Sequence, residues 1–160
     1  MFHVKRIILI MKKFTSKNQR IGAIGEQIAQ DFLVQQGIQI CETNYSCRLG
    51  EIDIIAKRNN CIHFIEVKTI TFSLENNKLP GKVTHNVSRE TFIKEYRRTT
   101  NSFQNITPQK LKKIVRTIYH YLHTKHIPIN NPWQIDGIGI TIDTATKNIR
   151  KLEYIEHINL

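Results

Sequence analysis

The sequence predicts an α/β fold in which a central mixed β-sheet is flanked by helices, in the element order αβββαββ. Three observations lead to this prediction. Residues 19–36 and residues 107–123 each repeat apolar side chains with the period of an amphipathic helix. Residues 50–68 alternate in period two on both sides of Asn59-Asn60, the pattern of a β-hairpin with a tight turn. Because helices and sheets both have to bury an apolar face, the two kinds of element predict packed layers.

The first helix is predicted from an apolar stripe that ends before Gly37, a residue type common just after helices. Glu26 lies beside this stripe. It would either reach inward to a site near the sheet or remain a solvated glutamate favoured by the helix dipole, and the spacing leaves both interpretations open. The residues of the stripe are Ile21, Ile24, Ile28, Ala29, Phe32 and Leu33.

The remaining strands are predicted from Ile-rich runs bounded by turn residues. A first strand covers residues 38–45, and a connection at residues 46–49 leads into the hairpin. After the second helix, residues 133–143 and 149–158 are predicted to form strands, with a turn near Lys147 between them.

One domain is expected over residues 19–160, because a chain of 160 residues has the size of an ordinary domain. Residues 1–18 are predicted to be a flexible extension, since their short apolar run is below the length of a signal peptide or a membrane span. Residues 72–105 are basic, lack sustained periodicity and are interpreted as an insertion. A substrate-binding loop and a disordered segment without a role both fit that composition.

The second helix begins with Thr107 as its N-cap and Pro108 as its first residue. Cations cover its N-terminal half. A row of cations beside an acidic site would suit a polyanion, whereas most charge runs are a solvated face, and both interpretations stay open. The apolar stripe comprises Leu111, Ile114, Val115, Ile118 and Leu122, and the cations are Lys110, Lys112, Lys113 and Arg116.

The hairpin register brings two acidic residues together. If residues 59 and 60 form the turn, partners across the ladder have numbers that add to 119, which places Asp53 opposite Glu66 and Glu51 opposite Lys68. Opposite side chains share a face with Cβ atoms about 4.5 to 5.5 Å apart, and like charges at that distance destabilise a sheet. A divalent cation between the carboxylates would remove the repulsion, with the Lys68 ammonium nearby.

Both faces of the hairpin are predicted to be buried, and a buried pair of unpaired carboxylates is costly. This argues for a metal site over the alternative, in which Asp53 and Glu66 are surface charges of an edge strand. The carboxylate face carries Ile55, Ile62 and Phe64, and the other face carries Ile52, Ile54, Ile65 and Val67.

The composition predicts an anionic partner and a reducing compartment. Lys and Arg number 24 against 13 Asp and Glu, and the net charge of +11 is typical of proteins that bind phosphate backbones. An anionic membrane surface or an acidic protein stays open on charge alone. Cys41, Cys47 and Cys61 form an odd set without a CxxC pair, which argues against disulfides and for the cytoplasm. Zinc held by these thiols and His63 would be an alternative, but their spacing matches no zinc-knuckle pattern.

Several short motifs follow one another along the chain. They are Gly22-Ala23-Ile24-Gly25-Glu26, Asn44-Tyr45, Leu49-Gly50-Glu51-Ile52-Asp53-Ile54-Ile55 and Phe64-Ile65-Glu66-Val67-Lys68-Thr69, with a weaker continuation through Gln109-Lys110 and Ile135-Asp136. Together they resemble the YraN-like family of uncharacterised bacterial proteins. That family resembles a branch of the restriction-endonuclease-like, or PD-(D/E)XK, nuclease superfamily and is similar in pattern to archaeal Holliday-junction resolvases.

The resemblance implies a restriction-endonuclease-like fold, Mg²⁺ or Mn²⁺ as cofactor and nucleic acid as substrate. Asp53 and Glu66 would hold the metal, with Glu26 as an auxiliary acidic ligand. Lys68 would orient the attacking water or stabilise the charge that develops on the phosphate. The candidate nucleic-acid contacts are Gln109, Lys110, Lys113 and Arg48.

The expected activity is that of a metal-dependent phosphodiesterase, an endonuclease acting on branched or single-stranded DNA intermediates of repair or recombination, with no membrane partner. The alternative is a nucleic-acid-binding module that keeps the fold but cleaves little or not at all. Three positions depart from the superfamily pattern. Ile52 replaces a proline, while Ile70 and Gln134 replace arginines, which bears on substrate contacts more than on catalysis.

Overall fold

The computed structural model describes residues 16–72, 107–143 and 146–158. The extension predicted for residues 1–18 therefore lies outside the described residues apart from its last few positions, which begin a helix. The predicted insertion at residues 72–105 lies outside them apart from its first residue.

The described residues form two helices and five strands in the predicted order αβββαββ. The elements are α1 (Lys17–Gln35), β1 (Gln39–Cys47), β2 (Gly50–Arg58), β3 (Cys61–Phe72), α2 (Pro108–Thr124), β4 (Trp133–Asp143) and β5 (Ile149–Ile155). The predicted α/β fold class is confirmed, and the predicted boundaries differ from the observed ones by a few residues.

The sheet is mixed, with strand order β1-β2-β3-β4-β5. Neighbouring strands are antiparallel except β3 and β4, which are parallel. A parallel pair needs a crossover connection, and α2 lies in the chain segment that joins β3 to β4. This architecture is consistent with a restriction-endonuclease-like fold.

Side-chain N-caps mark the start of both helices, and a glycine turn marks the end of α1. Ser16 Oγ accepts a hydrogen bond from Gln19 N, and Thr107 Oγ1 accepts one from Lys110 N, so each helix has a side-chain N-cap. After α1 the chain turns at Gly37 with φ 75°, a left-handed conformation that glycine adopts without steric cost. Ile38 N then donates to Leu33 O, which closes the helix end.

The hairpin has the predicted register over most of its length. Its pairs run from Arg58 with Cys61 to Ile54 with Ile65, and Asn59 in the turn has φ 56°. Beyond Ile54 the described backbone pairing of β2 with β3 ends, so the predicted pairs that include Glu51 and Asp53 are not part of the ladder. The side chain of Asp53 bonds to the β3 backbone at this point.

Two apolar cores lie on opposite faces of the sheet, one under each helix. On the α1 face, Leu33 packs with Ile54, Ile65 and Ile138. The α2 face has its own core of Ile52, Ile55, Ile62, Phe64, Ile114, Ile118, Tyr121, Leu122 and Ile135. Burial of both faces is thus confirmed.

The placement of Ile52 on the same face as Ile54 was wrong. Ile52 packs in the α2 core, opposite its strand partner Tyr45. The strict alternation fails where Asn44 of β1 has φ 54° instead of an extended conformation. A local departure from extended backbone re-aims the side chains that follow it, and period-two counting does not detect it.

Candidate functional site

Asp53 is a partly buried carboxylate with a strongly perturbed pKa. Its Oδ2 accepts a hydrogen bond from Val67 N at 2.7 Å, so the carboxylate lies against β3. Burial, followed by the negative charges of Glu66 and Glu26, raises the pKa of Asp53 from 3.8 to about 7, against the opposing effects of the Val67 N–H and the Lys110 ammonium. The side chain is therefore close enough to the other acidic groups to feel them, as the sequence predicts for Glu66.

Glu66 is the more deeply buried of the two carboxylates and already has a counter-charge. Its side chain is 10% exposed, and its Oε2 lies 2.6 Å from the Nζ of Lys110. Lys110 reaches this oxygen from the first turn of α2, with 55% of its own side chain exposed. The helix N-terminus also favours a negative charge nearby.

Lys68 is on the exposed side of β3. The sequence predicts its ammonium beside the two carboxylates. The structure adds the ammonium of Lys110, which contacts Glu66 Oε2. The proposed roles of Lys68 toward water or phosphate stay predictions.

Glu26 approaches the same region from α1. It is partly buried, and burial followed by the charge of Glu51 raises its pKa, while a hydrogen bond with the Asn44 side chain lowers it. Asn44 has φ 54°, a conformation that asparagine tolerates better than most residues. The sequence reasoning noted Asn44 only as part of a motif and missed this support for Glu26.

A close contact between α1 and β3 holds Glu26 near the acidic pair. A Cβ atom built on Gly25 would lie 1.7 Å from Thr69 Oγ1, so only glycine permits this approach. Thr69 Oγ1 itself is buried, with no hydrogen-bond partner among the described residues. Gly25 and Thr69 come from two of the motifs noted above, and each directly adjoins a candidate site residue, Glu26 and Lys68 respectively.

The candidate nucleic-acid contacts are all exposed, and two of them lie near the turn between β1 and β2. A Cβ built on Gly50 would lie 3.2 Å from Lys113 Cε and 2.8 Å from Thr117 Oγ1, so the Lys113 stem passes over this turn. Arg48 is an exposed residue of the turn itself. Gln109 is exposed in the first turn of α2, beside Lys110. Among these candidates, Lys110 is the one whose contact with an acidic residue of the site, Glu66, is observed.

The acidic residues can supply part of a metal coordination sphere. In the part of the chain that the structure describes, no three His, Cys, Asp or Glu side chains form a complete ligand group. Mg²⁺ does not need one, because it binds through one or two carboxylates together with waters and substrate phosphate. Asp53 and Glu66 supply hard carboxylate oxygens, the donor type that Mg²⁺ prefers, and burial followed by the charge of Glu66 raises the pKa of Asp53. Glu26 as an additional ligand stays a prediction.

Asp136 is a buried carboxylate outside this site, and the sequence reasoning did not identify it as a structural centre. It is fully buried and accepts four hydrogen bonds, in a group that we call the Asp136 network. Its Oδ2 contacts His63 Nδ1 at 2.6 Å and Tyr154 Oη at 2.8 Å. Its Oδ1 accepts from Gln134 Nε2 at 2.8 Å and from the backbone N–H of His157 at 3.0 Å.

The Asp136 network accounts for two features of the sequence. Gln134 is buried, and its Nε2 donates to Asp136 Oδ1. His63 is turned toward Asp136, which confirms that it points away from the carboxylates of the candidate site. Cys41, Cys47 and Cys61 are free, as expected without a disulfide framework.

The fold and the acidic pair define a class: an α/β protein with a five-stranded mixed sheet and carboxylates from adjacent strands beside a basic helix. The chain belongs to the uncharacterised protein family UPF0102, whose family model matches residues 25–140. This confirms the resemblance to the YraN-like family. No helix among the described residues combines the length and apolarity that crossing a membrane requires.

Relatives in this family match most of the chain. A UPF0102 protein of Campylobacter hominis is 34% identical over 144 residues, which is 90% of this chain and 97% of the relative. One from Clostridium botulinum is 58% identical over 131 residues, covering 82% of this chain and 87% of the relative. One from Clostridium tetani is 38% identical over 116 residues, covering 72% of this chain and 85% of the relative.

Proposed function

We propose that this protein is a metal-dependent phosphodiesterase that cleaves DNA. The observation that carries the proposal is the neighbouring carboxylates Asp53 and Glu66. Burial, followed by the negative charge of Glu66, raises the pKa of Asp53 to about 7. Such pairs are costly to keep, and strongly perturbed carboxylates concentrate at functional sites. The resemblance of the motifs to the restriction-endonuclease-like superfamily supports the same reaction class.

The residues divide into three roles. Asp53 and Glu66 would hold Mg²⁺ or Mn²⁺, which when bound supplies a Lewis acid and an activated water. Lys68, exposed on β3 just beyond Glu66, would orient the water or stabilise charge developing on the phosphate. Lys110, Lys113, Arg48 and Gln109 would contact phosphates along the exposed side of the acidic pair.

The substrate that the chain supports best is DNA in a branched or single-stranded form. The net charge of +11 favours a polyanion, and the resemblance to Holliday-junction resolvases favours a repair or recombination intermediate. A cytoplasmic location fits the free cysteines.

A cleavage assay with matched variants tests the proposal. Labelled duplex, single-stranded, flap and four-way-junction DNA are incubated with the protein in Mg²⁺, Mn²⁺ or EDTA, alongside Asp53→Ala and Lys68→Ala. We expect cleavage in either metal, none in EDTA, and a loss of about 10²-fold or more in each variant. Lys57→Ala is the control, because Lys57 is also exposed but lies toward the turn end of the hairpin. Cleavage that survives in Asp53→Ala would contradict the proposal.

The alternative is a nucleic-acid-binding module with the same fold and little or no catalysis. It is favoured by the ion pair between Glu66 and Lys110, which neutralises one of the two proposed metal ligands without a metal. In that case DNA binding would weaken steeply with salt, and no metal in the panel would support cleavage.

A further inference from the structure

The ion pair between Lys110 and Glu66 joins a buried anion to an accessible cation. Glu66 has a side chain that is 10% exposed, whereas Lys110 is 55% exposed, and their charged atoms are 2.6 Å apart. The ammonium therefore caps the carboxylate from the solvent side. A metal ion that approaches Glu66 from solvent has to approach past this group.

The two cations cannot both have close contact with the same carboxylate at low cost. Mg²⁺ coordinates oxygen at about 2.0 to 2.1 Å, so an ammonium left on Glu66 would be only a few ångströms from a double positive charge. Burial of Glu66 weakens screening by water and strengthens this repulsion. Binding of a divalent ion at Glu66 thus works against the Lys110 contact, and the Lys110 contact works against the ion.

Lys110 is built so that its side chain can leave while its backbone stays. Its N–H is fixed by Thr107 Oγ1 at 3.2 Å, which holds the first turn of α2 in place. Its long stem carries a single compact charge, without the rigid two-point geometry that arginine would impose. Lys113, one turn further on, places a second ammonium on the same side of the helix. A Lys110 ammonium that leaves Glu66 is then part of an exposed pair of cations suited to a phosphate.

We propose that Lys110 is a tethered cation that occupies Glu66 until a divalent ion replaces it, and that this exchange releases the Lys110 ammonium to bind the substrate backbone. The inference rests on the proposed function, because it assumes that Glu66 is a metal ligand. It adds coupling between two binding events: metal binding increases affinity for phosphate, and by linkage phosphate binding increases affinity for metal.

Binding of Mn²⁺ alone, measured by calorimetry and by electron paramagnetic resonance without nucleic acid, tests the competition. We expect Lys110→Met and Lys110→Gln to bind Mn²⁺ roughly 5-fold tighter than the wild-type protein or more. Lys113→Met removes the same charge from the same side of the helix without touching Glu66, and we expect a change below about twofold at physiological salt. Glu66→Gln should lose the binding.

The exchange itself is visible in the NMR signals of lysines labelled at Cε. Addition of Mg²⁺ alone should shift the Lys110 signal, identified by its absence in Lys110→Met, much more than the Lys113 signal. A Lys110 signal that stays unchanged while Mg²⁺ saturates the site would overturn the inference.

The outcomes separate this inference from the proposed function. If the wild-type protein binds Mn²⁺ through Glu66 and both Lys110 variants bind it no tighter, the exchange is wrong and the metal site stands. If only the Lys110 variants bind Mn²⁺ measurably, Lys110 blocks the site and the ion does not displace it, so the exchange is wrong and the metal-binding capacity of Glu66 stands. If neither the wild-type protein nor the variants bind Mn²⁺, both the metal site and the exchange are wrong.

Discussion

Asp53 and Asp136 are both aspartates of the central sheet, and they differ in how many hydrogen-bond donors and how many negative charges surround the carboxylate. Asp136 is fully buried and receives four hydrogen bonds from the protein itself, two on each oxygen. Asp53 receives one recorded bond from the described residues, from Val67 N, and has two other carboxylates in its electrostatic neighbourhood. A buried carboxylate is stable when donors surround it, and it calls for a cation when acids surround it.

The difference teaches how to separate a structural acid from a functional one. Burial alone marks both residues, so burial does not decide between the roles. The balance of donors and like charges does. The protein completes the Asp136 network internally, whereas Asp53 lies among the negative charges of Glu66 and Glu26, which the Lys110 ammonium partly offsets.

The largest expected effect comes from breaking the structural acid. Asp136→Ala leaves the buried donors of His63, Gln134 and Tyr154 without their acceptor, and we expect a loss of about 3 to 5 kcal/mol in the free energy of unfolding. Asp136→Asn keeps the shape but turns an amide N–H₂ toward some of these donors, so an intermediate loss is expected. Urea unfolding measures both. A loss below about 1 kcal/mol for the alanine variant would mean that the network contributes little.

The second-largest effect is expected at the contact between Gly25 of α1 and Thr69 of β3. Gly25→Ala places a methyl group where Thr69 Oγ1 now lies, so helix and strand must separate, and we expect a destabilisation of about 1 to 3 kcal/mol. Gly22→Ala is the matched control, since a Cβ there meets no described atom within 4 Å. It should stabilise the helix by about 0.5 to 1 kcal/mol. Thermal unfolding of the two variants side by side checks the sign of each change.

Removing the charge of Asp53 should stabilise the protein, the opposite of the result at Asp136. Asp53→Asn retains an oxygen for the Val67 N–H but no longer repels Glu66 and Glu26. In EDTA at pH 8 we expect a gain of about 1 to 2 kcal/mol in the free energy of unfolding. An unchanged or lower free energy of unfolding in Asp53→Asn would show that the charge of Asp53 does not destabilise the fold.

The pH dependence of that gain has a defined sign. The folded pKa of Asp53, about 7, lies above its ordinary value of 3.8, so the folded state binds more protons between these values and wild-type stability falls as pH rises through them. The advantage of Asp53→Asn over the wild-type protein should therefore be smallest near pH 4, grow up to pH 7 and stay constant above it. Chemical unfolding of both proteins in EDTA across this range measures the difference.

The smallest expected effect concerns the edge of the Asp136 network. Tyr154→Phe removes one hydrogen bond to Asp136 Oδ2 but keeps the edge-to-face packing on Phe32, whose ring centroid is 5.9 Å away. We expect a loss of about 0.5 to 1.5 kcal/mol, well below that of Asp136→Ala, because three other donors stay in place. A loss equal to that of the alanine variant would mean that the four bonds act as one unit.

Features that depend on neighbouring residues were predictable. Caps, apolar spacing and turn residues fixed the two helices, and the Asn59 turn fixed the hairpin register from Ile54 to Ile65. The count along the chain placed Asp53 beside Glu66. The backbone ladder ends at Ile54, and burial followed by the charge of Glu66 raises the pKa of Asp53. The family was also predictable, because the short motifs that indicated it lie largely within residues 25–140, which the family model matches.

Features that depend on residues far apart in the chain were not predictable from the sequence. The contact of the Lys110 ammonium with Glu66 joins residues 44 positions apart, and no pattern along the chain indicated it. His63 and Asp136 are 73 positions apart and meet because β3 and β4 run parallel in a particular register. The pattern of one segment encodes its own period and ends, but which side chains meet across the sheet is decided when the helices and strands pack. Counting along the chain could therefore find the acids, and only the tertiary structure shows which of them the protein satisfies by itself.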